Sequence, residues 1–217
     1  MSILEQLSEA LIVGNATAVT RLTAQALEAG LLPQTILDEG LIAGMNVVGN
    51  RFRNCEMFLP EVLTSARAMK AGVAQIEPLL AAAGVKPAGK IIIGTVRGDL
   101  HDIGKNLVAI MLRGAGFEII DVGVGVTAQK FVEAVREHHP DIVGMSAMLT
   151  TTMMQMKTVI TALAEAGLRD RIKIMIGGAP VNNSFAEEIG ADAYGRNASN
   201  AVEKARNLIN STKATEP

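Results

Sequence analysis

The sequence predicts an α/β protein in which a four-helix bundle is followed by a doubly wound parallel sheet of five strands. Two observations carry this reading. Apolar residues recur at helical spacing from Ser2 to about Gly84, and beyond that point short apolar, β-branched runs alternate with helix-length stretches. A third observation is compositional: 21 glycines, 3% aromatic residues and no tryptophan favour strand-to-helix turns over a sandwich built on large rings.

Each helix of the first half has its own punctuation. Ser2 and Glu5 make a candidate capping box, and Ile3, Leu4, Leu7, Ala10 and Leu11 form one stripe until Gly14-Asn15 ends it. Val19, Leu22, Ala26 and Leu27 mark a second helix closed by Gly30. Pro33 suits the first turn of a third, with Ile36, Leu37, Leu41, Met45 and Val48 facing inward. A fourth starts near Pro60 and runs through Leu63, Ala66, Met69, Val73 and Ile76, where Pro78 is expected to kink or end it. The periodicity lapses around 84–89, which divides the chain into a helical domain at 1–85, a linker at 86–89, a sheet domain at 90–211 and a flexible tail at 212–217.

In the second half, strands are expected at 90–96, 118–122, 141–146, 173–176 and 192–194. Helices are expected at 102–113, 128–138, 151–166, 183–189 and 198–209. Nearly all-apolar strands such as Ile91-Ile92-Ile93, in regular alternation with helices, indicate a parallel sheet covered on both faces.

Composition narrows the function. Twenty basic and 22 acidic residues leave a net charge of −2, so neither nucleic acid nor an anionic membrane is an expected partner. The single cysteine, Cys55, suits a reducing compartment and reads as a small hydrophobe. The first residues lack a basic segment and carry Glu5 and Glu9, unlike a signal peptide. No apolar run reaches the ~18 residues of a membrane span. A cytoplasmic location is expected.

In a doubly wound sheet, ligands bind beyond the C-terminal strand ends where the strand order reverses, between the first and third strands in the flavodoxin-like order. Two polar clusters fall there. The first strand runs into Arg97-Gly98-Asp99-Leu100-His101-Asp102-Ile103-Gly104-Lys105-Asn106, and the third ends at Ser146-Ala147-Met148-Leu149-Thr150-Thr151-Thr152. The first cluster is not a phosphate loop, because five residues separate Gly98 from Gly104 and Asn106 follows the lysine. Gly123-Val124-Gly125 lacks the third glycine of a dinucleotide fingerprint. What remains is an imidazole with a carboxylate two residues upstream, a pair suited to a metal ligand whose other ring nitrogen donates to the acid. With three histidines and no Cys or Glu at zinc spacing, a closed protein metal site is not expected, while a metal brought in by a large cofactor stays open.

Asp99-x-His101-x-x-Gly104, then 41 residues to Ser146, then 28 residues from Leu149 to Gly177-Gly178, resembles the three-part cobalamin-binding signature. With the helical half in front, nearly the whole chain, from the bundle through Phe58-Leu59-Pro60-Glu61 to Gly177-Gly178-Ala179-Pro180-Val181, resembles the corrinoid proteins of anaerobic methyltransferase systems. Those systems serve one-carbon metabolism and act on methylamines, methanol, glycine betaine or aryl methyl ethers. The resemblance implies a Rossmann-like cobalamin-binding domain behind a helical cap. It implies that His101 replaces the cofactor's own base as lower cobalt ligand, that Asp99 accepts the other imidazole proton, and that Ser146 supports Asp99. Leu100, Asp102, Ile103, Met148 and Thr150 join them as implied cofactor contacts. Gly104, Gly177 and Gly178 would let the backbone approach the cofactor's nucleotide tail. The signature's Ser-x-Leu reads Ser146-Ala147-Met148 here, and a thioether fills similar space.

The implied activity is methyl carriage by cobalamin or a related corrinoid, as cob(I)alamin and methylcobalamin, with a methylamine as first expected donor. The implied partners are a substrate-specific methyltransferase, a second methyltransferase that passes the methyl group to tetrahydrofolate or coenzyme M, and a reductive activator. No residue reads as a nucleophile or general base for the methylated substrate, so the chain is not expected to be an enzyme by itself. A cobalamin-dependent regulator would add a DNA-binding or signalling module, and the small subunit of an adenosylcobalamin mutase should not need the bundle. Elsewhere plainer readings hold. The adjacent His138 and His139 are solvated or capping; Met145, Met148, Met153, Met154 and Met156 are core fillers more readily than a corrin edge; Thr150 to Thr152 start a helix, with Thr151 within possible reach of the ring or tail; and Arg169, Asp170 and Arg171 make a solvated turn.

Overall fold

The computed structural model describes residues 1–213, the side chains of 212 and 213 excepted. The chain forms two compact units, Met1–Pro87 with Gly114–Gly116, and Ala88–Arg113 with the chain from Phe117 onward.

The first unit is helical. It holds α1 (Ile3–Ile12), α2 (Ala16–Glu28), a continuous third helix built from α3 (Pro33–Thr35), a π-helical stretch (Ile36–Ile42) and α4 (Ala43–Arg53), and α5 (Leu59–Ala82). Ser2 and Glu5 do close a capping box: the Glu5 N–H donates to Ser2 Oγ at 3.1 Å and the Ser2 N–H to Glu5 Oε2 at 2.6 Å. The Phe58 N–H likewise donates to Glu61 Oε2 at 2.7 Å where α5 begins. Two expectations for α5 are corrected. It continues through Pro78 to Ala82, and its buried face is Val62, Ser65, Met69, Gly72 and Ile76, leaving Leu63 exposed. The contact stripe includes small residues. Ser65 Oγ donates to the Ile12 carbonyl at 3.1 Å, and a Cβ on Gly72 would meet Leu41 and Val19 within 3 Å. Cys55, read as a small hydrophobe, is exposed at φ 59°, where the chain turns after α4.

The second unit alternates strand and helix: β1 (Lys90–Val96), α6 (Ile103–Gly114), β2 (Glu118–Val126), α7 (Ala128–His138), β3 (Ile142–Ser146), α8 (Thr150–Glu165), β4 (Lys173–Gly177), α9 (Asn183–Ile189), β5 (Ala193–Gly195) and α10 (Ala198–Lys213). The expected flexible tail lies outside the described residues from 214 on, and 212 and 213 belong to α10. The strands are all parallel, in the order β2-β1-β3-β4-β5, so the order reverses between β1 and β3. Ile92, Val143, Ile174, Phe131, Met156 and Leu163 are buried in the core over one face of this sheet. β2 is longer than expected. Gly123-Val124-Gly125, beyond the strand expected at 118–122, continues it with φ of +95° and +63° at its glycines, and two register shifts interrupt its pairing with β1. Arg169 is no solvated charge: it donates to the carbonyls of Ile172 and Gly190 and pairs with Asp192 at 2.9 Å, tying the chain before β4 to the turn before β5.

Candidate functional site

The loop from Arg97 to Asp102 leaves the C-terminal end of β1 and is held from beneath. The Thr95 hydroxyl, fully buried, donates to the His101 carbonyl at 2.9 Å, and the Gly125 N–H of β2 donates to the Asp99 carbonyl at 3.0 Å. Asp99 itself is 1% exposed. Its Oδ1 accepts the His101 N–H at 3.1 Å and meets His101 Nδ1 at 2.7 Å, while its Oδ2 accepts the Met148 N–H and the Thr152 hydroxyl, each at 2.7 Å.

These contacts fix the chemistry of the pair. Burial pushes the Asp99 carboxyl up, but the hydrogen bonds from Met148, Thr152 and His101 outweigh it and hold the acid well below the usual carboxylate range. An ionised carboxylate only accepts, so His101 Nδ1 carries the proton and donates. That leaves Nε2 as the ring nitrogen that Asp99 does not engage. The His101 side chain is 56% exposed, at the strand ends where the order reverses.

The depressed acid carries a stability prediction. Its folded pKa lies below its unfolded one, so its contribution is present above the unfolded pKa and lost as pH falls towards the folded value. Denaturation of the cofactor-free protein should therefore show stability falling more steeply for wild type than for Asp99→Asn between about pH 5 and pH 3. Parallel slopes would show that Asp99 is not so held.

Other expected site residues are distributed unevenly. Leu100, Ile103, Met148 and Leu149 are exposed apolar side chains beside His101 in sequence or at the end of β3, and Val124 is exposed at the end of β2. Thr150 is exposed at the start of α8. Asp102 is exposed and its carboxylate accepts from Asn106 Nδ2 at 3.0 Å. Ser146 closes β3 opposite Thr95 and Gly177, and is not among the partners of Asp99. The support expected of Ser146 comes instead from Thr152, which is 7% exposed, because β3 has ended and only the first turn of α8 brings a hydroxyl back to the carboxylate. The run of three threonines was the one visible signal for Thr152.

The glycines differ as well. A Cβ on Gly104 would meet nothing within 4 Å, so a ligand can approach the backbone there. At Gly177 it would lie 3.0 Å from the Gly195 carbonyl, a tight contact, and at Gly178 1.8 Å from that of Ala147, so the protein's own packing already requires the second glycine. Met145 and Met156 are buried, Met153 is partly buried against the core, and Met148 and Met154 are exposed. His138 ends α7 near Glu137, and His139 caps that helix at φ 47°.

Two family models, each described as a B12 binding domain, match residues 89–203 and 3–77. The chain is 45% identical over 209 residues to the dimethylamine corrinoid protein of Methanosarcina barkeri, covering 95% of this chain and 97% of that protein. It is 42% identical over 212 residues to corrinoid protein DSY3155 of Desulfitobacterium hafniense, covering 96% and 98%. Among solved structures it is similar to the methanol:cobalamin methyltransferase complex of Methanosarcina barkeri, with a TM-score of 0.86, 32% identity, and coverage of 96% of this chain and 80% of that one.

Proposed function

The chain belongs to the cobalamin-binding corrinoid proteins of methyltransferase systems, and on that premise we propose that it is a methyl carrier whose lower cobalt ligand is His101. The observation that carries the proposal is the Asp99–His101 pair, with Nδ1 tied to a buried carboxylate and Nε2 left free at the reversal of strand order.

The residues present fit a corrin. Leu100, Ile103, Val124, Met148 and Leu149 place exposed apolar side chains at the ends of the three adjacent strands β2, β1 and β3. Among the described residues no group of three or more His, Cys, Asp or Glu is gathered for a metal ion, and His101 would serve as a single protein ligand to a cobalt carried by the cofactor. Bound cobalamin supplies a cobalt atom that accepts a methyl group from one partner and yields it to another. The chain's share is to orient the imidazole. Asp99 fixes the ring by engaging Nδ1, and Met148 and Thr152 hold the carboxylate in place while it does so.

The proposed donor is a methylamine, supported by likeness to a dimethylamine corrinoid protein, and the proposed first partner is a substrate-specific methyltransferase, supported by likeness to a solved methyltransferase complex. A second methyltransferase delivering to tetrahydrofolate or coenzyme M, and a reductive activator, complete the scheme. For the first unit the proposal is a cap over the cofactor's upper face, resting on the resemblance and on the B12 binding domain match at 3–77. Among the described residues no helix is long and apolar enough to cross a membrane.

The test is to reconstitute the protein with reduced cobalamin and follow cofactor methylation spectrally with methyltransferases specific for methylamines, methanol, glycine betaine and aryl methyl ethers. A methylamine should methylate it at least about tenfold faster than the others. A faster reaction from another donor would replace the donor assignment, and no methylation from any would overturn the carrier reading.

A further inference from the structure

Gly104-Lys105-Asn106 fails as a phosphate loop, and the Asp99–His101 pair does not use it either. The Lys105 side chain is nonetheless 2% exposed, and lysine is rarely buried unless paired. Its Nζ donates to Asp121 Oδ2 of β2 in a close ion pair and to Asn106 Oδ1 at 2.9 Å. The other Asp121 oxygen accepts the Gly123 N–H at 2.9 Å. Asn106 reaches back to Asp102 twice, through Nδ2 to its carboxylate at 3.0 Å and through N–H to its carbonyl at 2.7 Å. Asp102 follows His101 in the chain, and Asp99, two residues before it, accepts the Gly125 N–H on its carbonyl. The circuit is closed: both flanks of His101 are tied to one stretch of β2, residues 121–125.

That stretch needs tying. β2 is an edge strand, and its pairing with β1 is interrupted by register shifts where Gly123 and Gly125 adopt positive φ. The sheet's own ladder holds it only through the interrupted pairs Ile93–Asp121, Gly94–Gly123 and Val96–Val126. An ion pair with one partner fully enclosed holds it further, because parting it would leave a charge buried without compensation.

We propose that Lys105 is a positioning residue: with Asp121 and Asn106 it latches the His101 loop onto the bulged end of β2 and so sets the reach of the imidazole. Asp102, implied by the resemblance as a cofactor contact, acts inside this latch. The inference rests on the reading of His101 as axial ligand.

Lys105→Met, Asp121→Asn and the double variant test it with two readouts. In the cofactor-free proteins, hydrogen exchange at the amides of His101 and Gly125 should quicken about tenfold in each single variant and no further in the double, the signature of one coupled pair. In the proteins reconstituted with Co(II) cobalamin, the ratio of histidine-bound to histidine-free cobalt, read by electron paramagnetic resonance, should fall about tenfold. If Lys105→Met fails to fold, Asp121→Asn, at a carboxylate 31% exposed, carries both readouts alone. Variants that melt lower yet keep wild-type amide protection and full nitrogen coupling would overturn the latch. Absence of histidine nitrogen in the wild type itself would overturn the axial reading, and is told apart because the wild type shows it.

Discussion

Replacing Gly178 with alanine is expected to destabilise the cofactor-free protein by about 4 kcal/mol, far above the ~1 kcal/mol of a typical substitution. Two costs combine. Gly178 sits at φ +128°, a conformation that L side chains rarely adopt, and its added Cβ would lie 1.8 Å from the Ala147 carbonyl oxygen and 2.9 Å from its carbon. Those are backbone atoms of the segment joining β3 to α8, held by the Ala147 N–H to Gly177 carbonyl bond and, one residue on, by the Met148 N–H to Asp99 bond. They cannot yield without disturbing both the β3–β4 pairing and the carboxylate that orients His101. Gly104→Ala is the control, since its Cβ enters open space at the start of α6, and should stay within about 0.5 kcal/mol. Urea denaturation of the cofactor-free variants measures both. A loss below about 1 kcal/mol at Gly178 would mean that the β3–α8 segment is far more yielding than its hydrogen bonds suggest.

The second large effect is expected at His101. His101→Ala should still take up cobalamin through Leu100, Ile103, Met148 and the glycine at 104, yet methyl transfer should fall roughly a hundredfold, the upper end of losses around a metal ligand. The residue makes no contribution to the buried core, so the loss is of function: its ring is more than half exposed, and its removal leaves Asp99 still bonded to Met148 and Thr152. Thermal unfolding of the variant checks the fold, and a methyl-transfer assay with a partner enzyme checks the activity. Wild-type rates in the variant would remove His101 from the mechanism.

Regular alternation made most of the sheet unit legible in advance. β1 at Lys90–Val96, α7 at Ala128–His138 and α9 at Asn183–Ile189 follow the sequence pattern to the residue, because apolar strands and capped amphipathic helices are local signals. What escaped depends on tertiary contact. The buried stripe of α5 runs through Ser65 and Gly72, which apolar spacing passes over in favour of Leu63. β2 continues through two glycines in positive φ because the Gly125 N–H pairs with the Asp99 loop, and such a bulge carries no local signature. At the site, the imidazole and its carboxylate were readable from their spacing. Thr152 was not, since its link to Asp99 spans 53 positions and exists only once β3 and α8 are in place. Lys105 was visible as a motif, but the acid that pairs with it lies 16 residues away on β2.

The central claim is that this chain, and not the cofactor's own base, supplies the lower nitrogen to cobalt through His101. Electron paramagnetic resonance of the Co(II) cobalamin-loaded protein, prepared with ordinary and with ¹⁵N-labelled histidine, tests it most directly. Superhyperfine coupling to one nitrogen is expected, its pattern changing with the histidine label and disappearing in His101→Ala. Coupling that ignores the label, and so belongs to the cofactor's own base, would contradict it.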